Sequence, residues 1–461
     1  MNTTSYTDGF FSVDPTHGFL PIEKPLTELP KPYAPLQNVL TNMPTLTDVG
    51  KPGLLAQEGM IETAVNKLPN FVEQVSKESH PFVLQALFRA YAFVASAYTL
   101  APAHHHYLKN GTYGKAHGKL PKNIAQPFVT VAEKLEVYPW LDYHYAYSLG
   151  NYKKLDATKG MNWENLGMCV KFSGLPDERG FIMLHVDINQ YSPSLVGGVF
   201  AALESKEPDA LNQALESLVG TMKHINARRK LMWEASRWKH YNDFRAFIMG
   251  IKGNDDLFGN GLIYEGVWDE PKAFRGQTGA QDNIIPTMDI FSGVIAHYPE
   301  NDLTRYLMDL RSYRPKCIQK FLEDLRQNMS EKPLLYTLKE DSNFQGAVHL
   351  LALLEEIYLF RNGHWQFVQK YIMQNTAYPK ATGGTPITSW IPNQIKAVLS
   401  AMMQTHDIID PKFKPEEREE WVMGFSRKVS LLNKQLELLQ VKQFDPKKVF
   451  DLNKQMRLRD F

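Results

Sequence analysis

The chain of 461 residues has little cysteine, almost no net charge and no long apolar run. Its two cysteines, Cys169 and Cys317, cannot build a disulfide framework or a four-thiolate zinc site, and their spacing excludes a CxxCH haem attachment. Lys and Arg number 51 against 50 Asp and Glu, a formal net charge of +1. A surface so balanced argues against nucleic acid or an anionic membrane as the main partner, because both need a basic face to release counterions. Nowhere do about 18 apolar residues follow one another, so no membrane span is expected. The N-terminus, MNTTSYTDGFF, has neither a basic region nor an apolar core and does not read as a signal peptide. These absences lead to the expectation of a cytoplasmic protein with both thiols reduced. No GxSxG, HExxH or paired-carboxylate motif stands out, which lowers hydrolase readings.

What is present is apolar and helical. Hydrophobic residues make up 43% and aromatics 12%, enough for a deep core in one large domain or two to three smaller ones. Prolines at 15, 21, 25, 30, 32 and 35 make residues 14–51 read as an extended arm laid over the body rather than an element. After it the period of 3.6 residues dominates. It marks helices at 61–74, 81–98, 193–203, 208–238, 244–251, 301–328, 346–373 and 388–403. Residues 102–127 read as a loop, and 150–162 as a polar linker and candidate domain boundary. The tail at 415–441 carries a heptad-like run of strong helix formers. Period-2 alternation is scarce, so the fold class expected is all-α.

His364 stands out within GAVHLLALLEEIYLFRNGHWQFVQKYIM. Phe360 lies one turn before it, and Phe367 and Val368 three and four residues after, so the imidazole shares the apolar stripe of its helix. A lone histidine there is most often a hydrogen-bonded core residue. Two features point elsewhere: Arg361 sits three residues earlier on the same face, and the surrounding aromatics suit a flat apolar ligand. A haem needs that combination of a neutral imidazole, an apolar slot and cations for its propionates. The loop FRGQTGAQDN, with Gly276 and Gly279, permits close approach of backbone to a ligand but matches no nucleotide motif. Gly383 and Gly384, flanked by Thr382 and Thr385, form a second small-residue loop. The run His104, His105, His106 is a poor metal site, since consecutive residues do not share a helix face.

Taken together, several runs resemble the indoleamine 2,3-dioxygenase family of haem enzymes. They are LPKNIAQP (120–127), GNYKK (150–154), KGND and GLIYEGVWDEPKAFRGQTGAQ (252–281), LRSYRP (310–315), RNGHWQFVQKYI (361–372) and TGGT (382–385). The match runs in order from about residue 120 to about 403. The resemblance implies a smaller N-terminal helical domain, placed at 1–155, and a larger one at 156–405, with a b-type haem between them. Residues 406–461 are left as a helical extension. It implies His364 as the proximal iron ligand, Arg361 beside a haem propionate, and Asp289 in the proximal network. Arg245, placed by RAFIMGIKGN, would pair with the substrate carboxylate, through a planar fork that suits both oxygens. Thr278 and Gly279 would lie above the haem, and Gly383, Gly384 and Thr385 in a loop closing on the substrate.

The activity implied is haem-dependent insertion of both atoms of O₂ across the indole C2–C3 bond of L-tryptophan, giving N-formylkynurenine, with iron ferrous in the active form. The substrate pocket is where this chain departs from the family pattern. His240 and Tyr241 replace a Phe pair, His144 and Tyr147 align with distal Tyr and Cys positions, and the distal serine aligns with Lys171 or, with the gap moved, Ser173. Ile248 is placed in the same pocket. Such a pocket is also compatible with a close indole, with non-dioxygenase biosynthetic chemistry on a tryptophan-like substrate, or with a non-catalytic haem or gas sensor. A monomer is favoured.

Overall fold

Three two-residue or three-residue strand pairs are all the sheet there is among the described residues, and helices make the rest of the frame. The computed structural model describes residues 3–300, 302–373 and 387–409, with positions 427, 430 and 434. The fold is all-α, as the periodicity indicates. The helices of eight residues or more are α1 (Ala34–Asn42), α2 (Pro81–Asn110), α3 (Lys122–Lys134), α4 (Pro176–Asn189), α5 (Ser192–Glu204), α6 (Pro208–Arg229), α7 (Ile284–Phe291), α8 (Asp302–Arg311), α9 (Lys316–Glu331), α10 (Phe344–Val368) and α11 (Ile387–Ile409). The tail at 415–441 and the Thr382–Thr385 loop lie outside the described residues.

Three segments differ from their sequence reading. The proline-rich arm contains a helix, α1, because Pro35 falls in its first turn, where the fixed φ helps and no N–H is needed. The arm is tied down by buried Phe19, whose N–H donates to the Ser192 hydroxyl at 2.8 Å, and the residues just before it by buried Phe10 and Phe11. Helix α2 runs on past Tyr98, through Pro102, to a left-handed Gly111 at φ 71°. A proline inside a helix costs roughly 3 kcal/mol, but Leu100, Ala101, Ala103 and His104 are all buried here, and burial of that stripe outweighs it. Although α2 is long and apolar enough to cross a bilayer, 89% of that apolar window is buried inside the protein. The polar stretch 150–162 holds a strand instead of a free linker. Tyr152–Lys154 pairs antiparallel with Leu166–Met168, and Gly150 O accepts from Gln85 and Arg89 at 2.8 and 2.6 Å.

One hydrophobic cluster runs from Tyr6 to Met402. Within it α10 packs along α6 and α11. Buried Glu356 fixes the first contact, accepting from Asn226 Nδ2 at 2.8 Å while its own carbonyl accepts the same amide at 2.9 Å. This sets the last turns of α10 beside the end of α6.

Candidate active site

A cavity of about 1320 Å³ of atom-free space, counting its mouth, opens between α4, α6, α7, α10 and the 278–282 loop. His364 lines it from α10. Protein surrounds this ring, yet its surface is open, and what it opens onto is the cavity. It makes no hydrogen bond to any described residue. Burial and the positive charge of Arg229 push its pKa down to about 4, so the imidazole is neutral near pH 7. A neutral, accessible, unpartnered imidazole is what a metal ligand has to be.

One turn back on α10, Arg361 pairs with Asp289 of α7, both side chains nearly sealed from solvent. The same guanidinium donates to Tyr298 Oη at 2.8 Å and to Gln394 O at 2.7 Å. Tyr298 in turn donates to Asp289 Oδ2 at 2.5 Å. Burial pushes the Asp289 carboxyl up against the pull of Arg361. This network locks the angle between α7, α10 and α11.

The cavity wall is unusually cationic. Besides Arg361 it holds Arg229, Arg311 and Arg314, and among the described residues none of these three is in an ion pair. Arg229 lies over the rings of Phe360 and Phe367, 5.4 and 5.5 Å from their centroids, and burial pulls its pKa down to about 10. Gly363 makes room for it: a Cβ there would stand 2.2 Å from both terminal nitrogens of Arg229. Arg314 spends its hydrogen bonds on Asn283 Oδ1 at 3.0 Å and on the carbonyls of Leu310, Ala280 and Asp282. It thereby holds the loop bearing Thr278 and Gly279, which also line the cavity. The loop is further braced by a capping box between Thr278 and Gln281. At its start, Gly276 crosses Gly250 so closely that a Cβ on Gly276 would meet the Gly250 nitrogen at 2.4 Å.

The sequence that builds this geometry matches a known family. A profile described as Indoleamine 2,3-dioxygenase matches residues 8–412. The chain belongs to the indoleamine 2,3-dioxygenase family. Its relatives include indoleamine 2,3-dioxygenase 1 of Rattus norvegicus, 31% identical over 68% of this chain and 73% of the relative. Indoleamine 2,3-dioxygenase 2 of Homo sapiens is 26% identical, over 82% and 86%. A third, 6-hydroxytryptophan 2,3-dioxygenase of Fusarium equiseti, is 25% identical, over 79% and 84%. The family is haem-dependent and its members are dioxygenases acting on indoles. The residues present fit a haem: an open neutral imidazole stands beside an apolar slot, with guanidinium groups free of carboxylates to meet two propionates.

The structure brings together His364, Arg361, Asp289, Thr278 and Gly279 on this cavity. It places the other sequence candidates elsewhere. Arg245 is fully buried, neighbouring the Tyr113 and Tyr241 phenols, whose upward shifts by burial its charge opposes, but it does not line the cavity. Tyr241 packs against Phe181 and Phe244, and Ile248 is buried beside them. His144 is buried, Nε2 3.2 Å from Asn283 Oδ1, and burial pushes its pKa down to about 3. Tyr147 donates to buried Glu178 at 3.4 Å. His240 is partly exposed and pairs with Asp243 at 2.9 Å. Neither residue aligned with the distal serine reaches the cavity. Lys171 pairs with exposed Asp48 at the surface, and Ser173 Oγ donates to Glu178 at 2.7 Å ahead of α4. Gly383, Gly384 and Thr385 lie outside the described residues. Two groups the sequence reading passed over are present instead: the Arg229, Arg311, Arg314 set, and His185 of α4. For the arginines, the LRSYRP run was the available signal.

Proposed function

We propose that this protein is a haem-dependent dioxygenase that inserts both atoms of O₂ across the C2–C3 bond of L-tryptophan or a close indole, giving an N-formylkynurenine-type product. The observation that carries the reading is His364, a neutral imidazole without a hydrogen-bond partner among the described residues, open to a cavity whose wall holds three arginines in no ion pair among those residues. When bound, a b-type haem with ferrous iron supplies the O₂ chemistry. His364 would hold its iron, and Arg229 and Arg311 its propionates, with Arg314 holding the loop beside them. The Arg361–Asp289–Tyr298 network keeps the turn bearing His364 rigid, so the imidazole does not wander. Gly279 presents backbone without a side chain, which lets a flat substrate approach the loop closely.

Arg245 is the guanidinium we assign to the substrate carboxylate on the family resemblance; it lies buried beside the Tyr113 and Tyr241 phenols, behind the cavity wall. Phe181, Tyr241 and Phe244 form an aromatic cluster beside it, Tyr241 meeting Phe244 edge to face and Phe181 tilted against both, and suit an indole. His144, Tyr147 and Ile248 are buried behind the pocket, and the family resemblance assigns Gly383, Gly384 and Thr385 to substrate binding. The departures in this wall, together with a fungal relative named for 6-hydroxytryptophan, support a tryptophan-like substrate class rather than tryptophan alone. The enzyme works in the cytoplasm with Cys169 and Cys317 as free thiols. The test is to reduce the haem-loaded protein, add L-tryptophan and air, and follow N-formylkynurenine absorbance against O₂ uptake. Product equal to O₂ consumed is expected; O₂ uptake with intact indole overturns the reading.

A further inference from the structure

His185 is the second imidazole of the cavity. It stands on α4, four residues after Phe181, and its Nδ1 lies 2.9 Å from the Phe181 carbonyl oxygen. A carbonyl can only accept, so Nδ1 must carry the proton. Burial disfavours a second proton on the ring. The remaining nitrogen, Nε2, therefore presents a lone pair. It faces the Thr278–Gly279 loop, 3.7 Å from where a Cβ on Gly279 would stand, and no described residue donates to it. Tyr143 flanks the ring at 5.8 Å and Phe181 at 5.6 Å, both edge to face, which fixes its plane. His364 lines the same cavity, close enough that a charge on His185 opposes its protonation.

The tautomer decides what this group can do. A distal histidine with its proton on Nε2 would donate to an oxygen molecule entering the cavity. This one has no proton there to give, and turning the ring over would forfeit the bond to Phe181. It can only accept. Within the proposed substrate class the ligand atom that donates from a flat apolar ring is the indole N–H. We propose that His185 Nε2 accepts the hydrogen bond of the substrate's indole N–H, making His185 the residue that selects unsubstituted indole nitrogen. The assignment rests on the proposed indole substrate, and the nearness of the Gly279 backbone, whose Cβ would stand 3.7 Å from Nε2, leaves the indole edge to approach His185 from the open side of the cavity.

The test compares binding of L-tryptophan and its N1-methyl analogue to the haem-loaded ferric protein, read from shifts in the haem spectrum without turnover. The parent should bind tryptophan about tenfold more tightly than the methylated analogue, the worth of one neutral hydrogen bond. His185→Ala should lose about that factor for tryptophan alone, so the two ligands become equal, with haem content and Soret position unchanged. His185→Gln, which keeps an acceptor, should restore part of the preference. Equal losses for both ligands would reduce His185 to a structural residue and overturn the proposal. So would a low-spin parent spectrum that turns high-spin in His185→Ala, since His185 would then be an iron ligand. If the parent bound neither ligand, the indole reading itself would fall, and this assignment with it.

Discussion

Gly363 and Arg229 are fitted to one another: a β-carbon at position 363 would lie 2.2 Å from both terminal nitrogens of the Arg229 guanidinium. On helix propensity alone Gly363→Ala should stabilise α10 by roughly 0.5–1 kcal/mol. The clashing atoms are the free end of a long side chain, so the fold should tolerate the change and the guanidinium should swing aside. We expect Tm to stay level or rise while haem leaves the protein about ten- to a hundredfold faster, the loss of one charge-assisted hydrogen bond. Haem transfer to an acceptor protein, timed beside a thermal melt, checks both halves.

His364→Ala should abolish stable haem binding and leave the far-ultraviolet helical signal intact, because the ring is a cavity wall with no hydrogen bond to break. Full loading with an unchanged Soret band would move the iron ligand to another histidine.

Arg245 separates substrate binding from cofactor binding. Arg245→Ala should load haem normally and lower kcat/KM by about 10²-fold, the worth of a buried charge-assisted pair at 1.36 kcal/mol per decade. Arg245→Lys should also be poor, since an ammonium cannot form the fork. Parent-like turnover in Arg245→Ala would remove the carboxylate clamp.

His104 sets a pH dependence that has nothing to do with catalysis. Its ring packs on Phe247 at 4.5 Å with Nδ1 unpartnered, and burial pushes its pKa down to about 4. The unfolded chain therefore binds a proton that the folded chain refuses between about pH 6.5 and 4. Stability is full above pH 6.5 and falls as pH drops through that window, by about 3 kcal/mol from this residue at 1.36 kcal/mol per unit. Urea unfolding at pH 7 and pH 4.5 should show a smaller acid loss in His104→Leu than in the parent. Equal losses would mean that His104 is not held neutral.

Much of this could be read before any coordinates. Helical spacing puts Arg361 and His364 on one face because both belong to a single uninterrupted helix, and local period is what a sequence displays best. Asp289 is distant in sequence and was reached only through the family resemblance. The extent of α2 was hidden by Pro102, whose local cost is overridden by tertiary burial that no window reveals. His185 was missed for a related reason. It is one histidine on an apolar helix, and its meaning comes from Gly279 and His364, both far along the chain. Lys171 and Ser173 were placed by a movable gap in the resemblance, and neither lines the cavity, because one pairs with Asp48 and the other with Glu178.

The central claim is a dioxygenase reaction at the His364 cavity. It is tested most directly by giving the reduced, haem-loaded protein L-tryptophan under isotopically heavy O₂ in ordinary water and weighing the product. N-formylkynurenine with heavy label in both new oxygens is the result this account predicts. A product with one labelled oxygen or none, or a rearranged indole without inserted oxygen, would contradict it.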